Sequence, residues 1–178
     1  MKRRFLKLGM VLALLVTLLV PATVSAAEVA ITVQAQFIAI TNSQATWTVS
    51  TPITVDGVIY FSATDAQDDN YSQIENTGNV AVDVEIQGTD LAGTPSWTLA
   101  TTTAADTYSL YGNLAATPTV YDVEVKKSAY SDITAAGGLA AQGTNDWSLK
   151  FTAPSSFGGT EDGVAKTGTV TLVASLHV

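Results

Sequence analysis

Apolar and polar residues alternate with a period of two along much of this chain. The alternation is clearest in VAVDVEIQ at positions 80–87, YDVEVK at 121–126 and WSLKFT at 147–152. Successive side chains of a β-strand point to opposite faces of a sheet, so this pattern predicts strands with one buried face and one solvated face. The alternation in residues 170–178 predicts a further strand at the end of the chain.

Glycine, asparagine and aspartate separate these runs. Asp56-Gly57, Gly137-Gly138 and Gly158-Gly159 are turn-forming dipeptides, and no stretch after residue 26 shows a helical stripe. Roughly eight to ten short strands at this spacing are typical of an antiparallel β-sandwich. We therefore predict an all-β chain with a single β-sandwich domain over residues 27–178, of either the jelly-roll or the immunoglobulin-like type.

The first 26 residues have the composition of a cleavable signal peptide. Basic residues within positions 2–7 precede an apolar run over 10–20, and Val24-Ser25-Ala26 supplies the cleavage site. The apolar run is shorter than the roughly 20 residues that a membrane-spanning helix needs. We expect cleavage after Ala26 or Ala27, an exported product and no membrane span after cleavage.

Residues 27–178 are strongly acidic and contain no cysteine. Four lysines stand against sixteen aspartates and glutamates, so the net charge of this part is −12. Such a surface repels nucleic acid and anionic lipid, and we predict no nucleic-acid partner. An exported domain without disulfides is ordinary among microbial surface proteins, so we expect a secreted protein, extracellular or on the cell surface of a prokaryote.

Catalytic chemistry has few residues to use in this chain. There is no cysteine, and the single histidine, His177, is one residue from the C-terminus, where we expect it to face solvent. A Ser-His-Asp relay would need a positioned and partly buried imidazole. Asp83 with Glu85 and Asp122 with Glu124 lie on the polar faces of predicted strands, where carboxylates keep a surface soluble. We therefore expect no enzymatic activity.

One loop concentrates oxygen ligands. Its members are four closely spaced polar residues, Asp65, Asp68, Asp69 and Asn70. Oxygen donors at this density are typical of extracellular Ca²⁺ sites, so the loop is a candidate Ca²⁺ site, and we expect no other cofactor. Aspartate also favours turns for conformational reasons, and an acidic turn without metal is the alternative.

Residues 28–40 form a long strand-forming stretch without glycine or proline. Four apolar side chains share one face of this predicted strand: Val29, Ile31, Val33 and Phe37. A long apolar strand near the N-terminus invites aggregation unless another strand pairs with it. We therefore predict that residues 28–40 are an exchanged strand, donated to a neighbouring copy of the chain with these four side chains at the interface.

A leader, a long N-terminal strand, one cysteine-free sandwich and the closing TGTVTLV at 167–173 together resemble the secreted fibre subunits of the TasA/camelysin group and the archaeal bundling pilins. The resemblance implies that the N-terminal strand completes the sheet of a neighbouring subunit, so that the chain forms a homopolymer. The function implied is structural: a subunit of a cell-surface filament or of an extracellular matrix fibre.

Two Trp-x-Leu motifs, Trp97-Thr98-Leu99 and Trp147-Ser148-Leu149, resemble those of WxL cell-wall-binding domains. That resemblance implies the alternative function, a monomeric surface module that binds cell wall or glycan. Each tryptophan, including Trp47, shares its strand face with apolar neighbours. The residues themselves therefore predict core positions rather than an exposed surface on which sugars stack.

The leader hypothesis predicts the N-terminus of the mature protein. Mass spectrometry of secreted protein should find chains that begin at Ala27 or Glu28, because signal peptidase cuts directly after small residues. Secreted chains that still begin at Met1 would contradict the leader.

Overall fold

The computed structural model describes residues 35–43, 46–49, 52–62, 72–116, 119–134, 136–158 and 164–178. These residues belong to the unit Ala35–Val178. They form ten β-strands and no helix, which confirms the all-β prediction. In chain order the strands are β1 (Ile40–Asn42), β2 (Val58–Phe61), β3 (Ser72–Asn76), β4 (Val82–Gly88), β5 (Thr98–Leu99), β6 (Thr107–Asn113), β7 (Val123–Glu124), β8 (Ser131–Asp132), β9 (Thr144–Thr152) and β10 (Val170–Leu176).

The longest strand, β9, lies at the centre of a seven-stranded sheet. One side of β9 pairs with β6, while its other side pairs first with β3 and then with β2. β6 pairs in turn with β5 and β7, and β1 pairs with β3 at the margin of the sheet. All these pairs are antiparallel except β5 with β6.

The second sheet has three strands, in the order β10-β4-β8. β4 and β10 are antiparallel over their whole length, from Val82 opposite Leu176 to Gly88 opposite Val170. β8 pairs with β4 over a shorter stretch, next to Ile86. The smaller sheet is therefore held together mainly by the long β4–β10 pair.

The chain passes from the larger sheet to the smaller one just after β7. The Val125 amide donates to the Leu110 carbonyl on β6, at 2.9 Å, and the Gly88 amide on β4 donates to the Lys126 carbonyl, at 3.0 Å. Gly88 also leaves room for the side chains packed at this crossing, since a Cβ atom there would lie 2.7 Å from Cδ2 of Leu99 and 3.1 Å from Cγ1 of Val125. Main-chain hydrogen bonds thus join the two sheets at this crossing.

The core lies between the facing sides of the two sheets. On β4 the inward side chains Val82, Val84 and Ile86 are fully buried, in agreement with the period-two pattern. Buried side chains of the larger sheet complete the core; they include Ile74, Leu99, Tyr108, Leu110, Trp147 and Leu149. Full burial of one aliphatic side chain contributes about 1.5–3 kcal/mol to stability. The two layers are consistent with the predicted β-sandwich.

A buried asparagine fixes the turn after β3. Asn76 is fully buried, and its Oδ1 accepts from the Gly78 amide at 2.9 Å. Its Nδ2 donates to three main-chain carbonyls, those of Val80 at 2.8 Å, Leu139 at 3.0 Å and Ala140 at 3.1 Å. One amide side chain therefore joins the turn between β3 and β4 to the segment that precedes β9.

Asn76→Ala should lower the free energy of unfolding by about 2–3 kcal/mol, because it removes the acceptor of the buried Gly78 amide and the side-chain donor of the Val80 carbonyl. Urea denaturation followed by tryptophan fluorescence measures the loss. Asn145→Ala, at an exposed position of β9, is the matched control and should change stability by less than about 0.5 kcal/mol. Equal losses in the two variants would contradict the role assigned to Asn76.

Candidate strand-pairing site

β10 is an edge strand with one open side. Among the described residues it pairs with β4 alone. The His177 amide donates to the Ala81 carbonyl, and the Thr169 carbonyl accepts from the Thr89 amide, so odd-numbered residues of this segment bond to β4. Bonding directions alternate along an antiparallel strand. The amide and carbonyl groups of the even-numbered residues, from 170 to 176, therefore point to the open side.

β10 carries none of the usual protections of an edge strand. Its seven residues, VTLVASL, include no charge and no proline, and its register with β4 runs without a bulge. Edge strands in natural proteins commonly carry such features, because an uncharged open edge is a template for another strand. β10 can therefore accept a further strand by main-chain hydrogen bonding.

The side chains of β10 are only partly covered. None of the seven is fully buried, although Val170, Leu172 and Ala174 pack against the core. The inward side chains of β4 are fully buried, because β4 has a strand on each side. A strand added beside β10 would therefore cover apolar surface in addition to pairing main-chain groups.

The first described residues are held by the turn before β4. The Asn79 side chain binds their main chain twice: its Oδ1 accepts from the Phe37 amide at 2.7 Å, and its Nδ2 donates to the Ala35 carbonyl at 2.8 Å. Main-chain bonds from the Asn79 amide to the Phe37 carbonyl and from the Thr77 amide to the Ala39 carbonyl, both 3.0 Å, continue the contact. Since β1 then pairs with β3, residues 35–42 are anchored to their own domain.

This anchoring divides the predicted donor segment. Phe37, predicted to lie at a donation interface, has its main chain bound within its own domain, while its side chain is 58% exposed. The other predicted interface residues, Val29, Ile31 and Val33, lie outside the described residues. The Ala35 and Ala39 carbonyls and the Phe37 amide and carbonyl already bond within the domain. The exchanged strand predicted over 28–40 stays a prediction, and residues 28–34 are the part of it that lies outside the described residues.

The anchored segment and the end of β10 lie at the same end of the domain. Asn79, which holds Ala35, is two residues before Ala81. The Ala81 carbonyl accepts from the amide of His177, the residue directly after β10. Ala35 and the residue that follows β10 are therefore both held by the short segment 79–81.

His177 does not simply face solvent, contrary to the sequence-based expectation. It is half-buried, and its Nδ1 lies 2.7 Å from Oδ1 of Asp83. Gly138, with a φ of 67°, makes room for the ring, since a Cβ atom there would lie 2.7 Å from Cγ of His177. Asp83, expected only to solvate β4, instead fastens the end of the chain to that strand.

The loop after β4 bonds to the chain at the opposite end of β10, through the Thr89 amide and the Thr169 carbonyl, and is itself held in place. Asp90 accepts from the Lys127 ammonium at 2.7 Å and from the Leu99 amide at 2.9 Å, and these bonds hold the pKa of its carboxyl below its usual value. Tyr108 donates its hydroxyl to the Thr89 carbonyl. Burial, with Asp90 nearby as a second cause, raises the pKa of Tyr108. Side-chain contacts therefore hold both ends of β4. β10 is positioned with it, because the two strands pair over their whole length.

The tryptophans occupy the core, as predicted. Trp97 and Trp147 are 5% and 3% exposed. Trp47 packs against Phe61, with ring centroids 4.8 Å apart, and against Trp147, with centroids 4.6 Å apart. The tryptophan and leucine of both Trp-x-Leu motifs are therefore buried, in and beside β5 and β9.

The candidate Ca²⁺ loop, formed by Asp65, Asp68, Asp69 and Asn70, lies outside the described residues. Within the part of the chain that the structure describes, no group of three or more histidine and acidic side chains is placed to hold a metal ion. The same part contains no helix of the length and apolar character needed to cross a membrane.

The open side of β10 is the feature that sequence reasoning missed. The sequence predicted a strand there but assigned the interface to the N-terminal segment alone. The sequence did contain a signal for it: residues 167–176, which directly follow Lys166, form an uncharged β-prone stretch without proline. Whether such a stretch lies at the centre or at the edge of a sheet depends on pairing, which the sequence pattern does not show.

Comparison with family models, with curated proteins and with solved structures finds no match to this chain. The resemblances to fibre subunits and to WxL domains therefore stay predictions, and the function has to be argued from the geometry of the domain itself.

Proposed function

We propose that this protein is an exported structural subunit of a prokaryotic cell-surface filament or matrix fibre. In this proposal residues 28–34 of one subunit pair with the open side of β10 in the next subunit. The observation that carries the proposal is the state of β10: a regular seven-residue edge strand, uncharged, with a half-covered apolar face. An edge of this kind is an aggregation hazard unless a specific partner occupies it.

Length supports the pairing. Residues 28–34 and β10 both contain seven residues, and each extends about 23 Å at roughly 3.3 Å per residue. Main-chain hydrogen bonds along this length would supply affinity, and alternate side chains would supply register. The finer fold in this proposal is a sandwich whose three-stranded sheet becomes four-stranded when the donor is bound.

Side-chain pattern supports it as well. Val29, Ile31 and Val33 share one face of the donor, so one orientation directs all three toward the partly covered inner face of β10. Each apolar side chain that becomes buried contributes on the order of 1.5–3 kcal/mol before the cost of ordering the segment. Three such side chains are enough to favour one register, because a shift by one residue would turn them to solvent.

Anchoring of residues 35–42 explains why repeated donation would build a fibre. The Asn79 contacts hold Ala35 and Phe37 to their own domain, so the chain that follows the proposed donor stays with its own subunit. Donor and acceptor are different surfaces of the subunit, so the contact is heterologous, and repeated heterologous contacts form an open chain when they do not close into a ring.

Purified residues 27–178 should assemble into filaments visible by electron microscopy, and deletion of residues 28–34 should give folded monomers. Ala174→Pro removes an amide that points to the open side of β10 and is expected to block assembly without loss of a β4 bond. Val173→Lys, placed opposite Glu85, is a second acceptor variant and adds the charge that edge strands use against pairing. Circular dichroism reports whether each variant is folded, and light scattering reports the mass of the particles it forms.

Gln73→Lys is the matched control, since it adds the same charge to β3, a strand paired on both sides. It should assemble like the unaltered protein. A mature chain that stays monomeric at high concentration would overturn the proposal, and so would filaments that survive both the deletion and the two β10 variants. A synthetic peptide of residues 28–34 should raise the melting temperature of the deleted subunit but not that of Ala174→Pro.

A further inference from the structure

The outer face of the larger sheet carries an aromatic surface that assembly through β10 does not use. Cross-strand register places Tyr60 on β2 beside Lys150 on β9, Lys150 beside Tyr111 on β6, and Tyr111 beside Glu124 on β7. All four project away from the core, because their strand neighbours Phe61, Leu149 and Leu110 are buried. Four adjacent strands thus present a continuous row of side chains about 14 Å long, at roughly 4.8 Å per strand.

A fifth side chain lies across this row. Tyr121 precedes β7, yet its ring contacts that of Tyr60 on β2, with centroids 5.5 Å apart and planes tilted by 39°. Two strands separate β2 from β7, so the two rings meet along the sheet surface instead of projecting from it. We call the set Tyr60, Tyr111, Tyr121, Glu124 and Lys150 the tyrosine row.

Hydrogen bonds outside the row hold it in place. The Tyr111 hydroxyl donates to the Thr101 carbonyl at 3.1 Å, and the Thr101 hydroxyl donates to Glu124. Asn113 donates to the Val120 carbonyl at 3.0 Å, which fixes the segment that carries Tyr121. Surface side chains that are already ordered lose little conformational entropy when a ligand binds.

The tyrosine row is partly accessible. Tyr60 is 41% exposed and the other four members are half-buried, while Val58 and Val120 beside the row are exposed. Within the described part of the chain Lys150 takes part in no salt bridge, so its ammonium is available as a donor. The surface therefore combines flat apolar rings with a cationic donor and a carboxylate acceptor at strand spacing.

We infer that the tyrosine row binds a neutral polysaccharide. A sugar ring has an apolar face of C–H groups, which packs on an aromatic ring, and a rim of hydroxyl groups, which both donate and accept hydrogen bonds. The row offers these groups in the same arrangement and extends over more than one ring. The net charge of −12 over residues 27–178 opposes nucleic acids and other polyanions. Within the row Lys150 and Glu124 carry opposite charges, so its side chains match an uncharged polymer.

This inference is independent of the proposed assembly, because the tyrosine row and β10 lie on different sheets. Binding is therefore tested in the Ala174→Pro background, where multivalent display by a filament cannot raise the apparent affinity. If the tyrosine row binds polysaccharide in this background, one monomer is enough for binding. A fibre would then carry one such row on each subunit.

The experiment is native affinity electrophoresis in gels that contain β-glucan, mannan or soluble chitin fragments, with alginate as an acidic comparator. At least one neutral polymer should retard the protein. Tyr60→Ala and Tyr121→Ala should each weaken binding about tenfold or more, because truncation removes a stacking surface at the centre of the contact. Tyr60→Trp keeps a flat ring and should retain binding, while circular dichroism verifies that each variant is folded.

Tyr130→Ala is the matched control, since Tyr130 is 44% exposed but precedes β8 in the smaller sheet. It should bind like the parent protein. Failure of all three neutral polymers to retard the parent would overturn the inference. So would equal binding by the parent and Tyr60→Ala, or retardation by alginate alone.

Discussion

β4 is paired on both sides, by β10 and by β8, and this pairing holds Val82, Val84 and Ile86 over the larger sheet. Main-chain hydrogen bonds place the strand, and complete burial of its inward side chains joins the two layers. Two hydrogen bonds link β4 to the larger sheet: the Val125 amide bonds to β6, and the carbonyl of the next residue, Lys126, accepts from Gly88 on β4. The smaller sheet, and its attachment to the larger one, therefore depend on β4.

The same requirement for pairing explains where the domain is incomplete. β10 meets β4 on one side, and the main-chain groups on its other side have no partner among the described residues. A free edge costs little in water, because solvent satisfies the hydrogen bonds, but its apolar side chains stay partly exposed. The stable way to cover such an edge is a strand of matched length.

The two sheets have outer faces of different character. The outer face of β4 carries Asp83 and Glu85 and adds to the acidic surface of the protein. The outer face of the larger sheet carries the tyrosine row, in which Lys150 lies between aromatic neighbours. The two sheets therefore differ in what the described residues leave exposed: the smaller sheet has the open side of β10, and the larger sheet has an aromatic face.

Local pattern determined much of this protein. The alternation around Val84 and the apolar neighbours of Trp97 and Trp147 were enough to predict strands, their faces and the core, because a strand face is set by residues two positions apart. Tertiary structure alone decided which edge stays open, why His177 meets Asp83, and how Tyr60 comes to lie beside Tyr121. These contacts join residues far apart in the chain, and their partners follow from strand order and register, which a local period of two does not encode.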